Sequence, residues 1–299
     1  MMKLDGGDYE IIVELPGLLE QELQVSCSKE HDRRPASEAD EALLESTWQA
    51  RLASNPSLFN GAKFRFAGAS CDPGGVATLS LGLTDYRSFL GTNCAPHWER
   101  LLALSPTHLA CPLGNAVIME TADEHVVLLR RGSGVGEAPN SVVMPGGHPE
   151  PEAVGVSSLA DWAVSGDATA GPAWNRRVQH EMWDGMLREI EEETGVPRSA
   201  LAPMRCIGFC RRVLNFRPDI MFHVRCALTS AEIQQAYIGS QDGSVHRDES
   251  VALFTVEKHE FVRQVLDENS IPMPGCHRGG VHLYRAFLAS EAYREVAPK

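Results

Sequence analysis

Arg188-Glu189-Ile190-Glu191-Glu192-Glu193-Thr194-Gly195-Val196 is the stretch on which the reading of this chain turns. Wound as an α-helix, it sets Glu189, Glu192 and Glu193 at i, i+3 and i+4, on one face. Three like charges there repel one another, so helix stability alone does not select the arrangement. A divalent cation reverses the sign of that interaction, and carboxylate oxygens are the donors that Mg²⁺ and Mn²⁺ prefer. Gly195 offers a helix stop and Pro197 prevents continuation. Taken alone, such a run equally fits a solvated acidic face at the end of a surface helix.

The order of the residues adds a second signal. Arg-Glu-aliphatic-x-Glu-Glu-x-Gly-aliphatic resembles the second half of the Nudix box, G-x5-E-x7-R-E-U-x-E-E-x-G-U with U aliphatic, and all nine positions agree. Upstream, Met144-Pro145-Gly146-Gly147-His148-Pro149-Glu150-Pro151-Glu152 resembles the glycine-rich entry loop of that box. The chain departs from the family in one respect. The consensus has seven residues between its first Glu and the Arg, whereas 35 separate Glu152 from Arg188, so 28 are inserted. Counted back from Arg188, Glu181 lies one residue out of phase with that first Glu, and both Glu152 and Glu181 stand as candidates for its part.

At 299 residues the chain can form two modest domains or one large one, and 43% hydrophobic content suits a packed core. No apolar run reaches the roughly 18 residues a membrane span needs, and the first residues, Met1-Met2-Lys3-Leu4-Asp5-Gly6-Gly7, lack the apolar segment of a secretory signal. The eight cysteines are irregularly spaced with no Cys-x-x-Cys, which favours free thiols in a reducing compartment over disulfides or a zinc site. The expected location is therefore cytoplasmic, with the nucleus as a second compartment. A net charge of −13 opposes binding to nucleic acid, which needs clustered Lys and Arg. A small phosphorylated substrate remains compatible if metal and a few arginines supply local positive charge.

Along the chain, residues 1–108 read as an α+β unit. Residues 9–15 and 22–28 are expected strands with a Pro16-Gly17 turn between them. Ser37 is placed to cap a helix carrying Leu43, Leu44, Trp48 and Leu52 that ends by Asn55-Pro56. Two more strands are expected at 63–67 and 76–83, then a short helix at 84–90. Residues 109–299 form the second unit. Its strands are expected at 114–120, 125–130, 141–144, 205–214, 219–228 and 250–256, its Glu-rich helix at 175–194, and closing helices near 256–267 and 279–290. The insertion, about residues 153–180, is rich in Ser, Gly and Ala and reads as a surface excursion. The resemblance implies an α/β fold, a Nudix α/β/α sandwich with an additional N-terminal α+β domain.

For the chemistry, Glu189 and Glu193 are the metal-ligand candidates, with Glu192 ligating through water or acting on the nucleophile. Gly146 and Gly147 let backbone approach a phosphate or metal closely. A general base outside the box is expected at Glu249, with Asp248 and His246 beside it; each reads equally as a solvated loop residue. Segments outside the box carry a narrower resemblance, to the UDP-glucose and UDP-galactose diphosphatases of the Nudix family. They are His31-Asp32-Arg33-Arg34-Pro35, Lys63-Phe64-Arg65, Leu81-Gly82-Leu83-Thr84, Tyr86-Arg87, Phe89-Leu90-Gly91-Thr92-Asn93 and Leu129-Arg130-Arg131. That resemblance implies Mg²⁺-dependent cleavage of a nucleotide sugar to UMP and a sugar 1-phosphate, with Mn²⁺ as a second metal. It places Phe59 and Tyr86 at the uridine, Arg131 at the diphosphate and Gly136 at a backbone contact. It puts Val143 where those relatives have an acid, so any side-chain hydrogen bond there is lost. From sequence alone Phe59 and Tyr86 read as core aromatics. Two alternatives stay open: another Nudix substrate such as ADP-ribose, a dinucleotide or a coenzyme A derivative, or a non-catalytic nucleotide-binding Nudix module. The preferred sugar and the oligomeric state are not legible.

Overall fold

The computed structural model describes residues 7–132, 140–166, 169–240 and 250–296. Two sheets organise them. The larger, eight-stranded, runs β1 (Tyr9–Leu18), β9 (Arg205–Arg212), β10 (Pro218–Arg225), β5 (Gly114–Glu120), β6 (His125–Arg131) and β11 (Ser250–Glu257), with the short strands β7 (Val142–Val143) on β6 and β8 (Gly146–Gly147) on β5. The smaller places β4 (Ala77–Asp85) between β2 (Leu23–Cys27) and β3 (Ala62–Cys71).

The central strands of the larger sheet read as unbroken apolar runs because both of their faces are covered. Alternate residues divide cleanly. Val117, Met119, Val127, Leu129, Phe222 and Val224 face one core, which they share with Trp174, Val178, Met182, Met186 and Ile190 of the long helix α5 (Gly171–Thr194). Ala116, Ile118, Val126, Leu128 and Met221 face the other, shared with Val281, Leu283, Tyr284 and Phe287 of α8 (Gly275–Leu288) and with Phe261 of α7 (Lys258–Val262). The result is the expected α/β/α sandwich. The small sheet joins the first core directly, since Leu23, Val25, Phe64 and Leu79 belong to the same cluster.

Two expectations are corrected. Pro16-Gly17 is not a turn: β1 runs through it, with a register shift between Glu14 and Leu18, and pairs with β9 in the large sheet. Gly17 takes φ +99° there, and β1 is an edge strand, where a proline without an N–H removes no ladder bond. The insertion is also more than a surface excursion: most of it is exposed, but it is anchored by buried residues. Its second part extends α5 by more than two turns towards the N-terminus, burying Trp174 and Val178. Its first part forms α4 (Leu159–Val164), whose Trp162 is 2% exposed and lies 5.7 Å from Trp174. Trp162 Nε1 donates to Asp32 at 2.8 Å, and Lys29 Nζ donates to the Ala163 and Ser165 carbonyls at 3.0 and 2.7 Å. The inserted residues therefore lock the N-terminal unit onto the Glu-rich helix.

At other points sequence and structure agree, while the helices Trp98–Leu104, Ser230–Ser240 and Glu291–Val296 were not expected. Ser37 caps α1 (Glu38–Ser54) by accepting from the Asp40 N–H at 3.1 Å. Gly195, at φ +72°, ends α5 in the left-handed conformation. All eight cysteines are free. No helix among the described residues is long and apolar enough to cross a membrane.

Candidate active site

The Glu-rich helix meets the glycine pair through the residues the box singles out. Gly146 N–H donates to Glu193 Oε2 at 2.9 Å, and Gly147 N–H donates to Asn115 Oδ1 at 2.7 Å. Neither glycine tolerates a side chain. A Cβ on Gly147 would lie 1.9 Å from Glu189 Oε1, and one on Gly146 would lie 2.3 Å from the Asn115 carbonyl. Glu189 and Glu193 are half-buried against this strand, while Glu192 is exposed.

The interrupted motif resolves in favour of Glu181. That carboxylate is buried and receives Arg188 through two bonds, Nη2 to Oε1 at 2.7 Å and Nη1 to Oε2 at 3.2 Å. Its Oε1 also accepts the Glu150 N–H at 2.8 Å, which ties the entry loop to the helix. Glu152 lies exposed in the turn Pro151–Val154. Arg188 also holds Asp184 at 2.8 Å, and its hydrogen bond to Glu181, with the nearby carboxylate charges, pushes the guanidinium pKa up. Its work is to fix the helix.

Beside this frame opens a cleft of about 1110 Å³ between the two units. Residues 109–299 contribute Asn115, Arg131, Gly146, Gly147, Arg217 and His277; residues 1–108 contribute Phe59, Lys63, Tyr86 and Trp98. Phe59 is no core residue. It is 77% exposed, with its ring edge 3.4 Å from where a Cβ on Gly61 would stand. Tyr86 is half-buried, edge-on to Trp48 at 6.5 Å and beside Phe89 at 6.3 Å. The two are held together locally. Tyr86 N–H donates to the Gly61 carbonyl at 3.1 Å, and Asn60 accepts from the Arg87 N–H at 2.7 Å while donating to Asp85 at 2.9 Å. Asp85 in turn caps α2 (Tyr86–Gly91). Val143 lies at the cleft but is 4% exposed and packed in the first core, so it offers surface and no hydrogen bond. Gly136, His246, Asp248 and Glu249 lie outside the described residues.

Several cleft residues carry no motif. Asn115 is a buried polar residue just ahead of the apolar run Ala116 to Met119 of β5, and that placement was the one signal available; its Nδ2 has no partner among the described residues. Burial, then the charges of Arg217, Arg131 and Arg212, push His277 down to about 3. Neutral at physiological pH, its Nδ1 accepts the Met144 N–H at 3.2 Å. Burial, then the charges of Arg217 and Lys63, likewise hold His148 well below the usual histidine range. The cleft is thus lined by cations in a chain of net charge −13.

A divalent ion fits the donor set. Glu189 and Glu193 present oxygen only, on one helix face beside a strand without side chains. Among the described residues no three such groups are already gathered into a closed cluster. The remaining positions of an ion held there would be filled by water and substrate oxygens.

Comparison with known proteins shows the family. No family model matches the chain. Nudix hydrolase 9 of Arabidopsis thaliana is 39% identical over 302 residues, spanning 96% of this chain and 93% of the relative. The human uridine diphosphate glucose pyrophosphatase NUDT22 is 33% identical over 297 residues, spanning 95% and 94%. A solved Nudix hydrolase of Alicyclobacillus acidocaldarius is 14% identical and aligns with 62% of this chain and 95% of its own, with a TM-score of 0.37. With relatives of that identity aligned from end to end, the chain belongs to the Nudix hydrolase family and is a hydrolase acting on diphosphate bonds.

Proposed function

We propose that this hydrolase cleaves UDP-sugars, UDP-glucose and UDP-galactose among them, to UMP and a sugar 1-phosphate with Mg²⁺. One observation carries the reading: a single cleft is lined by Phe59 and Tyr86 on one side and by Gly146 and Gly147 on another, and the Glu193 and Glu189 carboxylates meet those two glycines from the helix. An aromatic face stacks a base for about 1–3 kcal/mol. The similarity to a uridine diphosphate glucose pyrophosphatase supports uridine as that base.

Each part of the chain then has a task. Phe59 and Tyr86 hold the nucleoside, and the linkage between the two phosphates falls towards the helix. Glu189 and Glu193 hold the metal, which when bound neutralises diphosphate charge and makes water a better nucleophile at neutral pH. Gly146 and Asn115 orient this set by fixing Glu193 and Gly147. Glu192, exposed on the same helix, is proposed to act on the attacking water or to ligate through it. Glu249 is the proposed general base. Glycosidic cleavage would instead require two carboxylates flanking the sugar carbon, and an acidic face on a single helix is not so arranged.

The test is a panel of nucleotide-linked substrates with Mg²⁺ or with EDTA, run in ¹⁸O-labelled water. The expected result is metal-dependent UMP plus glucose 1-phosphate from UDP-glucose, with the label on one of the two phosphates. Preference for ADP-ribose, a dinucleotide or a coenzyme A derivative would redirect the substrate. UDP with labelled free glucose would refute attack at phosphorus.

A further inference from the structure

The N-terminal unit does more than face the base. We propose that Lys63 of that unit and Arg217 of the β9–β10 hairpin form a cationic clamp for the substrate diphosphate beside Glu189, with Asn115 Nδ2 as its neutral donor. The inference rests on the diphosphatase reading and assigns two residues that no box motif predicts.

Placement comes first. Lys63, Asn115, Gly147 and Arg217 line the same cleft. Lys63 is held rigidly because the strand after it is sutured to the Nudix unit. The Phe64 carbonyl accepts from Leu113 N–H at 2.8 Å, and Phe66 N–H donates to the Cys111 carbonyl at 3.0 Å. Arg65, the next residue, is buried and donates to the Leu109, His31 and Pro106 carbonyls at 2.8–3.1 Å. Across the cleft, Arg217 Nη2 lies 3.5 Å from Asp219 Oδ1 and 2.7 Å from where a Cβ on Gly114 would stand. Gly114 thus makes room for the guanidinium.

Charge comes next. Lys63 feels Glu150, Glu189 and Arg217, and His148 feels both Arg217 and Lys63, so the two cations are near neighbours close to the metal-binding carboxylate. Burial, opposed by Glu150 and Glu189 and assisted by Arg217, lowers the pKa of Lys63. Among the described residues its ammonium makes no hydrogen bond and no close ion pair. Two neighbouring cations in a partly desolvated cleft are unfavourable unless an anion sits between them. His148, kept neutral, adds no third charge. The unpaired Asn115 Nδ2 is oriented by the Gly147 N–H that its Oδ1 accepts, so it presents a donor at the same place. A diphosphate would give the Lys63 ammonium an anion and Asn115 Nδ2 an acceptor, within reach of Arg217 on the same cleft. Lysine suits it as a point charge and arginine as a planar fork.

Binding in EDTA separates a clamp from a structural lysine. UDP and uridine are titrated calorimetrically into the wild type, Lys63→Met, Lys63→Arg and Arg217→Met, with thermal midpoints and UDP-glucose kinetics alongside. Wild type should prefer UDP, and Lys63→Met and Arg217→Met should each weaken UDP by about 10- to 100-fold, as for a hydrogen bond to a charged group. Uridine should stay within about twofold and Lys63→Arg should recover most of the loss. Equal weakening of UDP and uridine, no weakening, or a wild type indifferent to the diphosphate would overturn the clamp. If the variants lose UDP selectively but wild type does not hydrolyse UDP-glucose, the clamp stands and the substrate reading fails. If hydrolysis is normal and Lys63→Met binds UDP like wild type, the reverse holds.

Discussion

Glu193 accepts a backbone N–H from Gly146, and Glu189 abuts the bare Cα of Gly147, so their carboxylates are aimed by the strand as well as by the helix. Glu189→Gln and Glu193→Gln keep that shape and remove the charge. Turnover at saturating Mg²⁺ should fall by orders of magnitude with the circular-dichroism spectrum and thermal midpoint held, because a like-charge cluster is relieved. Retention of more than about a tenth of wild-type turnover by either variant would remove that residue from the metal site. Phe59 offers a cleaner test than its neighbour. Being 77% exposed, it contributes little to folding, so Phe59→Ala should raise KM for UDP-glucose with an unchanged thermal midpoint. Tyr86→Ala should raise KM as well, but with some loss of stability from its contacts with Trp48 and Phe89. An unaltered KM in both would detach these aromatics from the base. The nine-residue motif made the carboxylates legible in the sequence because sharing one helix face imposes a spacing. Lys63 and Arg217 were not legible as site residues, and Asn115 only as a polar residue beside an apolar run, because they converge from two strands and the turn before β10 and no local pattern records their meeting.

The strands at Gly114–Glu120 and His125–Arg131 were readable because burial on both faces leaves a continuous apolar run, and the capped helix from Glu38 because Ser37 announces it. Pro16-Gly17 misleads for a physical reason: the residues that make turns also make bulges on edge strands. Three of the segments that carried the narrower resemblance, at residues 31–35, 63–65 and 81–84, pack against one another. Asp32 accepts from Leu83 N–H at 2.7 Å, Arg65 holds the His31 carbonyl at 2.8 Å, and a Cβ on Gly82 would strike the His31 carbonyl carbon at 2.3 Å. The insertion belongs to the same assembly, since Trp162 donates to the second oxygen of Asp32. Its small polar residues suggested a loop, but one buried tryptophan decides its role. Trp162→Ala should therefore cost about 3–5 kcal/mol in urea denaturation, the range for truncating a buried aromatic. A loss below about 0.5 kcal/mol would restore the surface-excursion reading.

At the scale of the whole molecule, the large sheet separates function from support. β10 runs parallel to β5, with Asp219 opposite Gly114 at the cleft end and Arg225 opposite Glu120 at the far end. Glu120 is fully buried there. It meets His223 Nε2 at 2.9 Å, Arg225 Nη1 at 2.6 Å, Tyr284 Oη at 2.5 Å and Tyr293 Oη at 3.1 Å, so a strand and the two C-terminal helices close on one carboxylate. Burial alone would raise its pKa, but the hydrogen bond and charge of His223, the Tyr284 hydroxyl and the charge of Arg225 outweigh it and bring the group down to about 2. A carboxylate lowered on folding stabilises the native state above its ordinary value of 4.5, and that contribution fades as pH falls towards about 2. Wild-type stability should therefore decline between about pH 4.5 and 2. Glu120→Gln should lower stability at neutral pH by roughly 3–5 kcal/mol, the cost of breaking a buried pair from one side, and should flatten the decline in that window. Because the network lies at the opposite end of β5 from Asn115, the folded variant should bind UDP as wild type does. Urea titrations at several pH values, with UDP binding at neutral pH, check all three. An equal acid decline in both proteins would assign the acid sensitivity to other carboxylates, and weakened UDP binding would show that the two ends of the sheet are coupled.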